Sequence, residues 1–129
     1  MTDVPTGPDS PSGSAPAALL SQEDRAGVLL LTVSPTHIDD TNADQLGEAL
    51  ENTSSAIAEA RVVLSLENVE YLSSAALGIF IAFRQKLDRE GGRLRLCSLQ
   101  TNIAQVFRLT KLDRAFDIRP DMESALTDF

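Results

Sequence analysis

A chain of 129 residues fits one domain, with a core large enough to fold without disulfides or a structural metal. Its net charge of −8 argues against non-specific binding to nucleic acid or to an anionic membrane surface. One cysteine, Cys97, excludes an internal disulfide and suits a reducing compartment, and no apolar run approaches a bilayer span.

Residues 1–16 read as a disordered leader, with Pro5, Pro8 and Pro11 among Ser, Gly, Thr and Asp and too little apolar surface to offset the entropy of ordering. The leader has neither the basic residues nor the apolar segment of a secretory signal, so a soluble cytoplasmic protein is expected. Order is expected to begin near Ala17, giving one domain over residues 17–129. Ala18-Leu19-Leu20 reads as a short first strand and Gln22 to Gly27 as a turn. Val28 to Val33 is the clearest strand of the first half, and the tight connection predicts an antiparallel hairpin at a sheet edge. Ser34-Pro35-Thr36 breaks that strand. Thr41 with Asp44 three places on resembles a capping box, and Ala43, Leu46, Ala49 or Leu50, and Ile57 keep helical spacing, which predicts a helix over about 42–53.

The stretch from Arg61 to Leu99 carries the clearest organisation. Val62 to Leu66 is a short apolar run suited to a strand buried on both faces. Ser73 and Ser74 precede a long apolar segment ending in Arg84-Gln85-Lys86, and small hydroxyl side chains in that place are N-cap signals. Gly91-Gly92 closes the helix, and Arg93 to Leu99 reads as the next strand, so the unit is βαβ. At about 100° per residue, Ala76, Phe80, Phe83 and Leu87 form the core face of this helix. Ser74, Gly78, Ile81 and Gln85, with Leu77 beside them, form the opposite stripe. Two readings of that stripe stand: another element of the chain covers it, or it is a docking surface with a hydroxyl at its edge. The serines themselves are read either as helix caps alone or as carrying function.

Downstream, Thr101-Asn102 heads a third helix through Ile103, Val106, Phe107 and Leu109. Leu112 to Ile118 reads as an edge strand, and Pro120-Asp121 starts a last helix with Met122, Ala125 and Leu126. The order β-β-α-β-α-β-α-β-α predicts an α/β fold, an open mixed sheet of about five strands with about four helices packed on it. Cys97 falls in an expected strand and reads as an inert buried thiol. Enzymatic features are missing: Gly91-Gly92 lacks the Walker lysine and the dinucleotide spacing, and neither serine sits in a nucleophile elbow. His37 has no second imidazole or cysteine with which to build a zinc site. Asp39, Asp40, Asp44 and Glu48 are explained by helix caps and the macrodipole, with an acid-dependent enzyme as the minor reading. No cofactor and no metal are expected.

The strand, the segment Asn68-Val69-Glu70-Tyr71-Leu72-Ser73-Ser74-Ala75-Ala76-Leu77-Gly78, the Gly91-Gly92 turn and the following strand resemble a STAS domain of the bacterial anti-sigma factor antagonist type. Ile38-Asp39 with Asn42-Ala43-Asp44-Gln45-Leu46 is similar to that family's entry into its first helix, and Ile103-Ala104-Gln105-Val106-Phe107 with Leu112 to its third helix. The family's motif reads Asp-Ser-Ser-Gly-Leu-Gly, with the first serine phosphorylated. Carried over, that serine is Ser74, with Ser73 as the alternative; Ser73 stands for the aspartate, Ala75 and Ala76 replace the next serine and glycine, and Leu77 and Gly78 match. The resemblance implies a non-enzymatic partner switch, in which the protein binds an anti-sigma factor that is a serine kinase of the GHKL type. Phosphorylation releases it, and a PPM-type serine phosphatase resets it, so that sigma-factor-dependent transcription is regulated. The implied partner-binding residues are Ser73, Ser74, Leu77, Gly78, Ile81, Gln85 and Asp39. No direct contact with nucleic acid or membrane is implied, and a monomer or weak dimer is expected. The alternative is a STAS scaffold, or a subunit of a larger signalling or transport assembly, that is not phosphorylated; Ser73 in place of the aspartate favours it.

Overall fold

The computed structural model describes residues 19–55, 57–127 and Phe129. The leader expected over residues 1–16 and the start of the expected first strand at Ala18 lie outside the described residues. Strand β1 (Leu20–Arg25) pairs antiparallel with β2 (Val28–Val33). After the short strand β3 (His37–Ile38) and helix α1 (Ala43–Ser54), β4 (Arg61–Ser65) lies parallel to β2. A second short strand, β5 (Tyr71–Leu72), leads into helix α2 (Ser74–Arg89). Strand β6 (Arg93–Cys97), helix α3 (Thr101–Leu109), a 3-10 turn (Leu112–Arg114), strand β7 (Asp117–Arg119) and helix α4 (Met122–Leu126) follow. The main sheet has five strands in the order β1-β2-β4-β6-β7. This is the mixed α/β architecture that the residue pattern predicts.

Strands β2 and β4 are buried on both faces, and for that reason their apolar residues run together rather than alternating with polar ones. Leu29, Leu31, Val62, Leu64 and Leu96 face one way and join Leu46 and Leu50 of α1, Phe80 and Phe83 of α2 and Phe107 of α3 in the main core. Val28, Leu30, Val63 and Cys97 face the other way, under Ala125, Met122 and Leu126 of the short α4. Cys97 is fully buried, and burial pushes its thiol up from the ordinary range. The buried positions of α2 are Ala76, Phe80, Phe83 and Leu87, the stripe expected from the 3.6-residue period.

Three local expectations need correction. The first strand extends through Gln22–Arg25, where a turn was expected, and the reversal is confined to Ala26 and Gly27. Both have positive φ (55° and 83°), as a two-residue hairpin turn of the primed type requires. As an edge strand exposed over five of its six residues, β1 has no apolar alternation to reveal it. Residues 112–116 are a 3-10 turn and its exit, with only Asp117–Arg119 in strand β7. Their apolar residues, Leu112, Ala115 and Phe116, recur at helical spacing, and the Phe116 ring meets Phe107 edge-on at 5.6 Å between centroids. Ile57 is not part of α1; it follows the helix and is exposed.

The Gly91-Gly92 closure has a specific geometry. Gly91 is left-handed (φ 79°), its N–H donates to the Asp88 carbonyl at 3.2 Å, and the Gly92 N–H donates to the Leu87 carbonyl at 2.8 Å. This is a Schellman ending of α2. A Cβ on Gly92 would stand 2.4 Å from the Ala60 carbonyl oxygen, so only glycine lets α2 turn into β6 beside that backbone. Gly91→Ala is expected to cost about 1 kcal/mol through its left-handed backbone, and Gly92→Ala about 3 kcal/mol because a backbone carbonyl must move. Urea denaturation of the two variants checks the order.

Arg95 is a charged residue on a central strand, only 5% exposed. Its Nη1 donates to the carbonyls of Ala125 at 2.9 Å and Thr127 at 2.8 Å, its Nε meets Asp117 at 3.0 Å, and its guanidinium lies 4.4 Å from the Phe129 ring centroid. A cation thus closes the C-terminal end of α4, where the helix leaves carbonyls unpaired and the dipole is negative. Asp117 also accepts from Arg119, and that bond, with Arg95, holds its carboxyl below the usual range. A depressed folded pKa gives stability that is present above the unfolded value, near pH 4, and lost as pH falls through the folded value. Asp117→Asn is therefore expected to be slightly less stable than the parent at neutral pH, by under about 1 kcal/mol given its partial exposure. The two stabilities converge below about pH 4, which thermal melts across pH 2–7 follow (~range set by the carboxylate).

Candidate partner-docking site

The start of α2 is fixed from three directions. Strands β3 and β5 pair in parallel, His37 opposite Tyr71 and Ile38 opposite Leu72, and the Ser73 N–H continues the ladder to the Ile38 carbonyl at 2.9 Å. The Ser73 hydroxyl accepts from the Ala76 N–H at 3.2 Å, and its carbonyl accepts from the Leu77 N–H at 3.1 Å. Ser73 is thus the N-cap, with extended backbone, and Ser74 is the first helical residue. The hydroxyl of Ser73 is occupied in capping; Ser74 is exposed.

The residues from the loop before α1 sit at the same end of this two-stranded ribbon. Asp39 follows Ile38 as Ser73 follows Leu72. Its carboxylate accepts from the Thr41 backbone N–H at 2.9 Å and from the Thr41 hydroxyl, and these bonds hold its pKa below the usual range. The Asn42 side chain accepts from the Asp39 N–H at 2.9 Å and donates to the His37 carbonyl at 3.0 Å. Here the expected Thr41–Asp44 capping box gives way. Asn42 is the N-cap without a side-chain cap bond, because its side chain is engaged by the Asp39 N–H and the His37 carbonyl, while Asp39 accepts from Thr41 and folds the loop as an Asx-type turn.

Neighbouring loops are stitched to this edge. The Asn68 side chain donates to the Val33 carbonyl at 3.3 Å, Gln100 to the Glu67 carbonyl at 3.0 Å and Asn102 to the Glu70 carbonyl at 2.7 Å. The β4–α2 connection is therefore tied to β2 on one side and to the start of α3 on the other, at the carboxyl ends of the parallel strands. Binding residues of open α/β sheets gather at that edge.

Along α2, Ser74, Gly78 and Gln85 are exposed, while Leu77 and Ile81 are half-buried and pack partly against the main core. Helix α1 lies against α2 on another side, where Gly47 leaves room for Ile79. Gly78 stands apart. A Cβ there would meet nothing within 4 Å, and its φ is not positive. Among the described residues neither packing nor backbone geometry calls for glycine at that place.

The ribbon itself, and Tyr71 with His37 on it, was missed in sequence reasoning. Two-residue strands carry no periodicity, and the signal available was a tyrosine two places before a helix cap. Among the described residues no cluster of three or more His, Cys, Asp or Glu side chains is placed to hold a metal, and no helix is long and apolar enough to cross a membrane.

An α/β sheet of this topology with a serine pair opening its second helix defines a class, and the chain belongs to it: the STAS domain family, whose profile matches residues 20–125. The chain is similar to an anti-sigma factor antagonist from Mycobacterium paratuberculosis with a solved structure. The two are 31% identical with a TM-score of 0.74, and the match covers 88% of this chain and 96% of that one. It is 29% identical over 89 residues to the anti-sigma-B factor antagonist of Bacillus subtilis, covering 69% of this chain and 80% of that protein. To the anti-sigma F factor antagonist of Paenibacillus polymyxa it is 23% identical over 112 residues, covering 84% and 92%.

The division of labour between the two serines can be measured. Ser73→Ala removes a cap acceptor and is expected to cost about 1 kcal/mol of folding free energy. Ser74→Ala is expected to change it by less than about 0.5 kcal/mol, as surface substitutions do. Equilibrium urea unfolding of both variants checks this difference.

Proposed function

We propose that this protein is an anti-sigma factor antagonist acting as a phosphorylation-controlled partner switch, a binding protein rather than an enzyme. Ser74 is the phosphorylated residue, with Ser73 as the alternative. Ser73, Ser74, Leu77, Gly78, Ile81, Gln85 and Asp39 form the face that meets an anti-sigma factor of the GHKL serine-kinase type. A PPM-type serine phosphatase restores the free hydroxyl.

The observation that carries this reading is the pairing of an exposed Ser74 with an open Gly78 one turn further along the same helix. A mid-helix glycine costs about 1 kcal/mol relative to alanine. With nothing among the described residues requiring it, the missing side chain serves a backbone that approaches from outside. The names of the relatives support the partner class. Ser73 is held by its capping bond, which favours Ser74 as the acceptor of the phosphoryl group.

The physics of the switch follows from position. A phosphoserine carries about −1.5 to −2 charges at neutral pH. At the first helical residue it meets the positive end of the dipole and the unpaired N–H groups of the first turn, so the fold tolerates it. No acidic residue stands in the first turn of α2 to repel it. Against a docked partner the same charge must be desolvated, at a cost on the order of a few kcal/mol. Release then needs no rearrangement of the fold.

The test uses the purified GHKL-type anti-sigma kinases of the source genome, each incubated with the protein and ATP and followed by intact mass. One phosphoryl group is expected with at least one kinase, and none on Ser74→Ala. Ser74→Glu is expected to weaken that complex at least about tenfold, a difference of 1.4 kcal/mol, and Gly78→Ala to weaken it without loss of thermal stability. No mass gain with any kinase, or a gain that Ser74→Ala leaves unchanged, would overturn the assignment. A stable complex with no mass gain and no effect of Ser74→Glu would point instead to the unphosphorylated scaffold.

A further inference from the structure

We infer that Tyr71, its ring tilted against that of His37, is an aromatic anchor of the same docking face and inserts into the anti-sigma factor kinase; this rests on the reading proposed above. Among the described residues three large apolar side chains are exposed: Ile57 (40%), Tyr71 (49%) and Leu109 (77%). Ile57 precedes β4 and Leu109 ends α3 ahead of β7, which puts both at the amino-terminal edge of the parallel strands. Tyr71 alone belongs to the element that delivers the serine pair.

Its direction follows from the strand period. Ile38 and Leu72 point into the core, so their neighbours His37 and Tyr71 point outward, and residues two apart share a face. Tyr71 therefore stands on the side of the ribbon from which Ser73 departs. The rings of Tyr71 and His37 lie 5.9 Å apart between centroids at 32°. His37 is held in turn, its Nδ1 2.9 Å from the Thr36 hydroxyl and its carbonyl bonded by Asn42; the Tyr71 N–H donates to the Thr36 carbonyl at 3.2 Å.

Such a residue suits an anchor for physical reasons. A tyrosine presents a large apolar body and a polar tip with only two side-chain torsions to freeze, and here a neighbouring ring already restrains it. Tyrosine is enriched among the few side chains that dominate binding. Half exposed, it adds little to the chain's own core. It lies next to the proposed face, so a partner seated on Ser74, Gly78 and Ile81 extends over it without a separate contact surface.

The kinase that binds the protein in the preceding experiment is the probe, with affinities from titration calorimetry. Tyr71→Ala is expected to weaken the complex about thirtyfold or more, the range of a dominant contact. Tyr71→Phe should stay within about threefold and His37→Ala fall between them. Thermal melts of each variant exclude unfolding as the cause. Tyr71 is the chain's one tyrosine, so fluorine-labelled tyrosine gives a single NMR resonance, expected to shift when the kinase is added. Tyr71→Ala binding within about threefold of the parent, with Gly78→Ala still weakened, would overturn the anchor and leave the docking face standing. If neither substitution weakens the complex, or no kinase binds at all, the anchor and the proposed face fall together.

Discussion

The backbone bond from the Ser73 N–H to the Ile38 carbonyl, with the short parallel pairing that leads up to it, sets where α2 begins and what its first turn presents. A helix start leaves N–H groups without partners, and the loop before it has many conformations available. Here the ribbon removes that freedom. Ser73 reaches the helix in extended backbone, its hydroxyl turns inward along the helix to the Ala76 N–H, and Ser74 is left facing out. A two-stranded pairing of this size is not stable alone. It persists because Ile38 and Leu72 are buried in the main core and because Asn42, Asn68 and Asn102 tie the surrounding loops to backbone carbonyls. The exposed serine therefore sits on a rigid mount.

That mount bears on the difference between this chain and the motif it resembles. An aspartate at the place of Ser73 would cap the helix and add a negative charge next to the following residue. A serine caps it through a hydroxyl oxygen that also accepts the N–H bond, and adds no charge. Folding at this position needs an acceptor, and either residue supplies one, so the helix start survives the exchange. In the proposed switch the electrostatic consequence falls on Ser74 instead. A phosphoryl group there faces the N-terminal dipole with no neighbouring carboxylate in the first turn.

How much of this was legible in the residues divides along the same physical line. Elements with a long apolar pattern read correctly: the double-sided burial of Val62 to Leu66, the α2 core face of Ala76, Phe80, Phe83 and Leu87, and the Gly91-Gly92 ending. Elements made by tertiary pairing did not. The edge hairpin of β1 and β2 was expected and is present, but the length of β1 was not legible because it is polar along its exposed edge. Strands β3 and β5 are two residues each, too short for a period to exist. The Thr41–Asp44 box failed because the N-cap falls one residue later, at Asn42, and the Thr41 hydroxyl turns back to donate to Asp39, an outcome that depends on loop shape rather than local sequence. Ser73 and Ser74 were visible as a pair, but which of them caps was decided by the strand pairing upstream. Tyr71 was hidden for a related reason: a strand-favouring aromatic looks like core until its partner strand shows which way it points.

Two positions at this edge run against what folding alone would select. Gly78 gives up helix propensity where a Cβ would meet empty space, and Tyr71 leaves a large aromatic ring half in water. Two other unusual residues have internal reasons: Gly92 admits the Ala60 carbonyl, and buried Arg95 closes the end of α4. Where sequence and fold agree at every other level, such local conflicts concentrate at sites shaped by something outside the chain. Gly78 removes bulk from a helix face, and Tyr71 adds it on the ribbon beside that face. In the docking face proposed above, a bare stretch of helix beside a protruding ring suits a second surface that comes close to the helix backbone and encloses the ring.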